Sequence, residues 1–171
     1  MVRIRSGDPA APSLALVAAV ALHEVLGSLA PGVAIKWPND ILAGGAKLAG
    51  ILLERSGDAV VIGFGANLAH HPEDIDRPVT SIAALTGAAP SPASVAEGLA
   101  QSFSAWLARW RTHGLEPVRL AWLAAAHAAG TSLKTAGGEG MFDGLDESGA
   151  LRLRMMDGSL RLVHAGDVFL L

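Results

Sequence analysis

The chain has 171 residues, of which 51% are hydrophobic and 17% charged, with a formal net charge of −3. That apolar share suffices for a packed core and excludes a disordered chain. The slightly acidic balance gives no electrostatic basis for nucleic-acid binding, and the absence of cysteine excludes disulfides, thiolate catalysis and cysteine-based metal sites.

Residues 2–5 read as the end of a strand. Arg3 and Arg5 ahead of the apolar run Leu14–Leu22 imitate a signal peptide, but Asp8, Pro9 and Pro12 lie between them and the run continues into His23–Glu24. The segment is expected to be a buried helix over 13–30, with Leu14, Val17, Leu22, Val25 and Leu29 on its core side and Pro31–Gly32 as its stop. No stretch is read as approaching the ~20 apolar residues of a bilayer span. A cytoplasmic protein without membrane contact is therefore expected.

Three strands follow, at 33–37, 47–54 and 59–65. Pro38–Ala46 is read as a turn-rich connection and Arg55–Asp58 as a four-residue hairpin turn. The third strand is almost continuously apolar, the pattern of a strand covered on both faces. A polar loop runs from Asn67 to Thr80. Ser91–Pro92 opens a helix to 113, whose face of Val95, Leu99, Phe103, Trp106, Leu107 and Trp110 reads as core, since no basic face accompanies the aromatics. A second helix is expected over 117–129. From 131 onward, five short alternating runs (131–135, 141–145, 150–156, 159–164 and 167–171) are punctuated by glycine turns. They suggest a small barrel over 131–171, packed on a main domain over 1–130.

Ten of the thirteen cations are Arg, yet two of the three Lys, Lys36 and Lys47, fall in one twelve-residue segment. An ammonium is a compact point charge and is not exchangeable with a guanidinium fork where a small anionic centre must be reached. The plain alternative is a pair of solvated strand ends. Lys36 and Asp40 read as an ion pair that sets the loop between them. Gly50, Gly63 and Gly65 weaken their strands unless a ligand needs the backbone close. Asn39 is equally a turn former after Pro38, Asn67 a strand-end cap and Trp37 a core residue. His70 and His71 point oppositely in an extended segment and read as surface residues rather than a metal pair.

Three motifs stand in order here: Lys36-Trp37-Pro38-Asn39-Asp40, Lys47-Leu48-Ala49-Gly50-Ile51-Leu52-Leu53-Glu54, and Gly63-Phe64-Gly65-Ala66-Asn67. Together they resemble the central pattern of the biotin protein ligases. Weaker similarity continues through Trp122–His127 and Gly166-Asp167-Val168. The resemblance implies an α+β class II synthetase-like biotin/lipoate ligase fold, N-terminally truncated: a mixed β-sheet backed by helices, followed by an SH3-like C-terminal barrel. It implies ATP-dependent formation of biotinyl-5′-adenylate and transfer of biotin to a lysine of a carboxylase carrier domain. ATP and biotin are then substrates, with Mg²⁺ accompanying ATP, and a homodimer is left open. By the same resemblance Lys47 contacts the biotin carboxylate and acyl phosphate, while Asn39, Asn67, Trp37, Gly50 and Gly65 surround the adenylate.

The family's Gly-Arg-Gly-Arg loop, which covers biotin, has no counterpart in this sequence; Arg3-Ile4-Arg5 is followed by Ser6-Gly7-Asp8. The resemblance thus implies a site incomplete in this chain. A nonenzymatic remnant or binding module, and a lipoate-type acyltransferase, stand as the alternatives.

Overall fold

A 16-residue helix, α1 (Leu14–Leu29), organises the main body of the protein. In the computed structural model, which describes every residue except Ile75, Asp167 and Leu171, a 3₁₀ turn at Ala11–Ser13 leads into it. The Asp of the Gly166-Asp167-Val168 motif thus lies outside the described residues. α1 is not the one-sided helix its pattern suggests. Leu14, every residue from Leu16 to Leu22, and Leu26 are buried, whereas Val25 and Leu29 are only half-buried. The reason is that α1 packs against other helices on one side and a sheet on the other. Contrary to the sequence expectation, Ala11–Leu29 is long and apolar enough to pass for a membrane span, with 19 residues of mean hydropathy 1.6. Its burial between two layers identifies it as a core helix.

The sheet comprises β1 (Val2–Arg3), β2 (Val33–Lys36), β3 (Asp40–Ala43), β4 (Ala46–Ser56) and β5 (Ala59–Ala66), in spatial order β1-β5-β4-β3-β2. Its ladders are all antiparallel. The parallel component of the expected mixed sheet reduces to two isolated bridges, Ile35 with Ala126 and Lys47 with Val79. β3 lies inside the stretch read as a connection, its four residues hidden between Pro38-Asn39 and Gly44-Gly45. The β4–β5 turn shortens to Gly57-Asp58, because pairing continues to Ser56 and Ala59. Gly57 at φ 60° supplies the left-handed position that this tight turn requires.

β5 is covered on one face only. Ile35, Ile41, Ile51 and Val60 are buried toward the helices, while Leu52 and Val61 are 63% and 50% exposed on the other side. The expectation of a doubly covered strand fails because nothing among the described residues lies over that outer face. Beyond β5 come a short helix, α2 (Ile82–Thr86), then α3 (Pro92–His113) and α4 (Glu116–Ala125). α2 was not anticipated, and α4 ends before the expected 129. Trp106, Trp110 and Trp122 are buried between helices, and the Trp110 indole donates to Ser13 Oγ at 2.9 Å.

The C-terminal strands are β6 (Ser132–Thr135), β7 (Gly138–Leu145), β8 (Leu151–Met155), β9 (Leu160–Val163) and β10 (Val168–Leu170). They form one curled antiparallel sheet in the order β10-β6-β7-β8-β9. Among the described residues no ladder joins β9 to β10. Leu133, Phe142, Leu145, Leu151, Leu153 and Val168 are its buried apolar residues. α4 carries it through the Trp122–Phe142 ring contact at 6.3 Å and a 3.3 Å bond from Arg119 to the Leu145 carbonyl.

Candidate functional site

Lys36 and Asp40 are cross-strand partners, the last residue of β2 opposite the first of β3, with Trp37-Pro38-Asn39 as the turn between them. Lys36 Nζ lies 3.1 Å from Asp40 Oδ2, the expected pair. The other carboxylate oxygen, Oδ1, is taken by the Lys47 ammonium, which the sequence did not suggest. One carboxylate with 13% of its side chain exposed therefore holds two ammonium groups, themselves 15% and 24% exposed. The cluster carries one net positive charge in a partly desolvated position, where electrostatic interactions are stronger than in bulk water.

Register explains why these groups meet. Paired residues of antiparallel strands share a face, and Asp40 pairs with Gly50, Gly50 with Gly65 and Leu52 with Gly63. Asp40, Gly50, Gly65, Gly63 and Leu52 thus lie on the outer, uncovered face. An open trough of about 380 Å³ runs over them, with Lys47 and Asp40 at one end and Leu52 at the other. None of its three glycines has a positive φ. At Gly63 and Gly65 an added Cβ would meet only a carbonyl at 3.9 Å. Neither backbone conformation nor packing demands glycine at those two positions. Since glycine weakens a strand, what it supplies there is empty space above the sheet. Gly50 is different: a Cβ there would stand 3.1 Å from Lys47 Nζ, so the bare α-carbon lets the ammonium fold across it to Asp40.

The two asparagines serve the backbone. Asn39 Nδ2 donates to the Ile51 carbonyl at 2.6 Å while Ile51 N donates to the Asn39 carbonyl, clamping the turn onto β4. Asn67 Nδ2 donates to the Thr80 carbonyl at 3.0 Å, closing the base of the 67–80 loop. Each amide thus gives one of its two N–H donors to the fold, and Asn39 also lines the trough. Trp37 lines neither recess beside Lys47. It is 4% exposed, and its indole donates to the Gly149 carbonyl of the C-terminal unit at 3.3 Å. His71 is half-buried against Ser81 Oγ at 3.2 Å, so only His70 of that pair is a surface residue.

On the far side of Lys47 lies a second recess of about 230 Å³, lined by Lys36, Asp40, Lys47, Arg77 and Phe169 among others. Arg77, Leu52 and Phe169 were not singled out from the sequence. Arg77 sits in a loop without periodicity, and Leu52 looks like any strand leucine until the missing cover is known. His127, two residues beyond α4, packs edge-on against Phe142 with ring centroids 6.0 Å apart. Burial, and secondarily the charge of Lys36, hold its pKa below the ordinary 6.5.

A trough floored by bare backbone, with Leu52 at one end and a paired ammonium at the other, suits a ligand with an apolar end and a terminal carboxylate. The sequence model of the biotin/lipoate A/B protein ligase family matches residues 8–124. The chain belongs to the biotin/lipoate A/B protein ligase family. Residues 134–171 match the biotin protein ligase C-terminal domain, the part formed here by the second sheet. This family member is 42% identical to a biotin–[acetyl-CoA-carboxylase] ligase of Paracoccus denitrificans, over 99% of this chain and 77% of that relative. A bifunctional ligase/repressor of Bacillus spizizenii is 31% identical over 92% of this chain, which spans only about half (52%) of that relative's length. The fold is shared with the biotin protein ligase from Aquifex aeolicus in complex with biotin and ATP, with a TM-score of 0.83 at 22% identity over 94% of this chain and 72% of that one.

Proposed function

We propose that the chain carries out biotin–protein ligation, with the glycine-floored trough as the biotin site and Lys47 as the group that meets the biotin carboxylate. The observation that carries this reading is the conjunction of Gly50, Gly63 and Gly65 in paired register with an ammonium at one end and exposed Leu52 at the other. The apolar body of biotin lies over the glycines and Leu52. Its carboxylate displaces Asp40 from Lys47, exchanging one carboxylate for another without leaving a charge unpaired.

In the first half-reaction a carboxylate oxygen attacks the α-phosphorus of ATP. The new acyl–phosphate bond forms as the α–β bridge breaks, and the electron pair leaves with pyrophosphate. In the second, a carrier lysine amine attacks the acyl carbon, AMP departs, and the amide nitrogen loses its proton. Lys47, held on a strand, opposes charge developing on the acyl and phosphoryl oxygens without reorganising. Mg²⁺ enters with the nucleotide; among the described residues no group of three His, Asp or Glu side chains is assembled to hold a metal. The macromolecular substrate is a biotin carboxyl carrier domain. The match of residues 134–171 to the biotin ligase C-terminal domain favours biotin over lipoate.

The test is transfer of labelled biotin to a carrier domain with ATP and Mg²⁺, alongside direct biotin binding. Lys47→Ala is expected to lower the transfer rate by about 10²–10³-fold, the scale of one preorganised donor. Biotin binding that is unaffected by Lys47→Ala sinks the assignment. Transfer of lipoate in preference to biotin supports the acyltransferase alternative instead.

A further inference from the structure

The turn Trp37-Pro38-Asn39 separates Lys36 from Asp40, so its placement sets how the two side chains meet. It is held at two points. Asn39 is clamped to Ile51 of β4, within the same sheet. Trp37 is held from outside the sheet, since its indole N–H donates at 3.3 Å to the carbonyl of Gly149 in the C-terminal unit. Trp37 is buried and lines neither recess beside Lys47. It is placed to act on the ion triad rather than on a ligand.

The acceptor is itself tightly fixed. Asp146 Oδ1 accepts from Ser148 N at 2.9 Å, Ser148 Oγ at 2.8 Å and Ala150 N at 2.8 Å. The backbone adds a bond from Asp146 N to the Ala150 carbonyl and one from Gly149 N to the Asp146 carbonyl. Gly149 has φ 88°, and a Cβ there would stand 3.2 Å from both δ-carbons of Leu16. The 146–150 turn is thus self-bonded and pressed against α1, with the Gly149 carbonyl held toward Trp37. Beside this contact lies a cavity of about 310 Å³, lined by Pro12, Leu16, Trp37, Pro38, Ser148 and His164 among others. Close packing therefore does not fix the Trp37 turn on that side, and the indole bond does.

We infer that Trp37 is a positioning residue: through its indole bond the 146–150 turn fixes the Lys36–Asp40 pair, and through Asp40 it fixes the Lys47 ammonium. Each link is a direct contact, from Gly149 to Trp37, along the turn to Asp40, and from the Asp40 carboxylate to Lys47. The consequence for catalysis rests on the assignment of Lys47 to the biotin carboxylate. The C-terminal sheet then takes part in aligning the reaction without supplying a group that touches the ligand. Misalignment of this kind is costly, because preorganised charge acts only where it already stands.

Two variants of the full chain test this. Trp37→Phe keeps a ring and removes the donor. Asp146→Ala unties the turn from within, since the side-chain hydrogen bonds of Asp146 all end on Ser148 and Ala150. Each is expected to lower kcat for biotin transfer by about tenfold, with the biotin KM within about threefold, because Lys47 stays present but displaced. Together they should cost no more than either alone, since both break one link. Val95→Ala removes buried volume from α3 and is expected to lower the urea midpoint while leaving kcat unchanged. Additive losses, full activity in Asp146→Ala, or an equal kcat loss in Val95→Ala would overturn the inference. NMR of the carboxyl carbons reads the same link without the reaction. The Asp40 signal should move in Asp146→Ala, and an unmoved signal sinks the inference even where Trp37→Phe fails to fold. Failure of the ligase reading looks different: the wild-type chain transfers no biotin while the Asp40 signal still moves.

Discussion

The Lys47 ammonium lies across the α-carbon of Gly50, where a methyl group would stand 3.1 Å from Nζ, 3.2 Å from Cε and 3.5 Å from the Asp40 carboxylate. The obstructed atoms are the far end of a flexible chain, so Gly50→Ala should fold. Lys47 must then be displaced by some tenths of an ångström and its bond to Asp40 disturbed. The expected result is a near-normal urea midpoint with biotin transfer reduced by about tenfold or more, since ~1 Å of misplacement costs on the order of 10²-fold. Normal transfer rates in Gly50→Ala would remove the geometric role given to this glycine.

Gly65→Ala should separate stability from function in the opposite sense. The added methyl meets only the Gly50 carbonyl at 3.9 Å, and φ is not positive there. The folded chain should gain about 0.4–1 kcal/mol through the lower entropy of the unfolded state. Biotin affinity should fall, because the methyl occupies the trough. Denaturant unfolding and calorimetry on one preparation measure both effects.

Asp40→Asn leaves Lys36 and Lys47 facing each other without the carboxylate that joins them. With all three side chains less than a quarter exposed, a loss of about 1–3 kcal/mol is expected at low salt. Added salt should recover part of it. An unchanged unfolding midpoint at low ionic strength would show that the ion triad does not stabilise the fold.

Ser13→Ala strands the Trp110 indole. Trp110 is fully buried, and Ser13 Oγ accepts its N–H while donating to the Ala10 carbonyl at 2.7 Å. The cost should be about 1–3 kcal/mol, the range for an unsatisfied buried donor. It should appear as a lower urea midpoint with an unchanged slope.

His127 predicts a pH dependence. Its pKa is lowered from 6.5 by burial first and by the Lys36 charge second, so the unfolded chain takes up this proton more readily than the folded one. The resulting stability is fully present above about pH 6.5 and is lost as pH falls from there through the folded value. Unfolding at about pH 7.5 and about pH 5.5 should differ more in the wild type than in His127→Gln. An identical difference in both would assign the acid sensitivity elsewhere.

Much of the site was legible because its motif places uncommon residue types at close spacing. Lys36, Asp40, Lys47, Gly50 and Gly65 do converge, and the helices and C-terminal strands fall near their expected places. What stayed hidden depends on contacts that periodicity does not carry. The second grip on Asp40 needs the β3–β4 register, and β3 itself is four residues screened by turn formers. The indole bond of Trp37 to Gly149, 112 positions away, leaves no trace in the sequence. Leu52 and Val61 read as core because an apolar residue looks the same whether or not something covers it. Arg77 carries no local signal at all; the backbone bonds of its neighbours to Lys47 bring it to the site.

The alanines of α1 act as a spacer gauge for the candidate site on the other side of the sheet. Ala18, Ala19 and Ala21 are wholly buried, and the helix that carries them packs against β2, β3 and β4, the strands that bear Lys36, Asp40, Lys47 and Gly50. A close-packed interior transmits added volume rather than absorbing it. Bulkier residues in this layer would lift the strands individually and shear the two lysines apart without touching either. The geometry of the candidate site is therefore exposed to drift at positions remote from it, and alanine content in a buried helix becomes a determinant of where an ammonium stands.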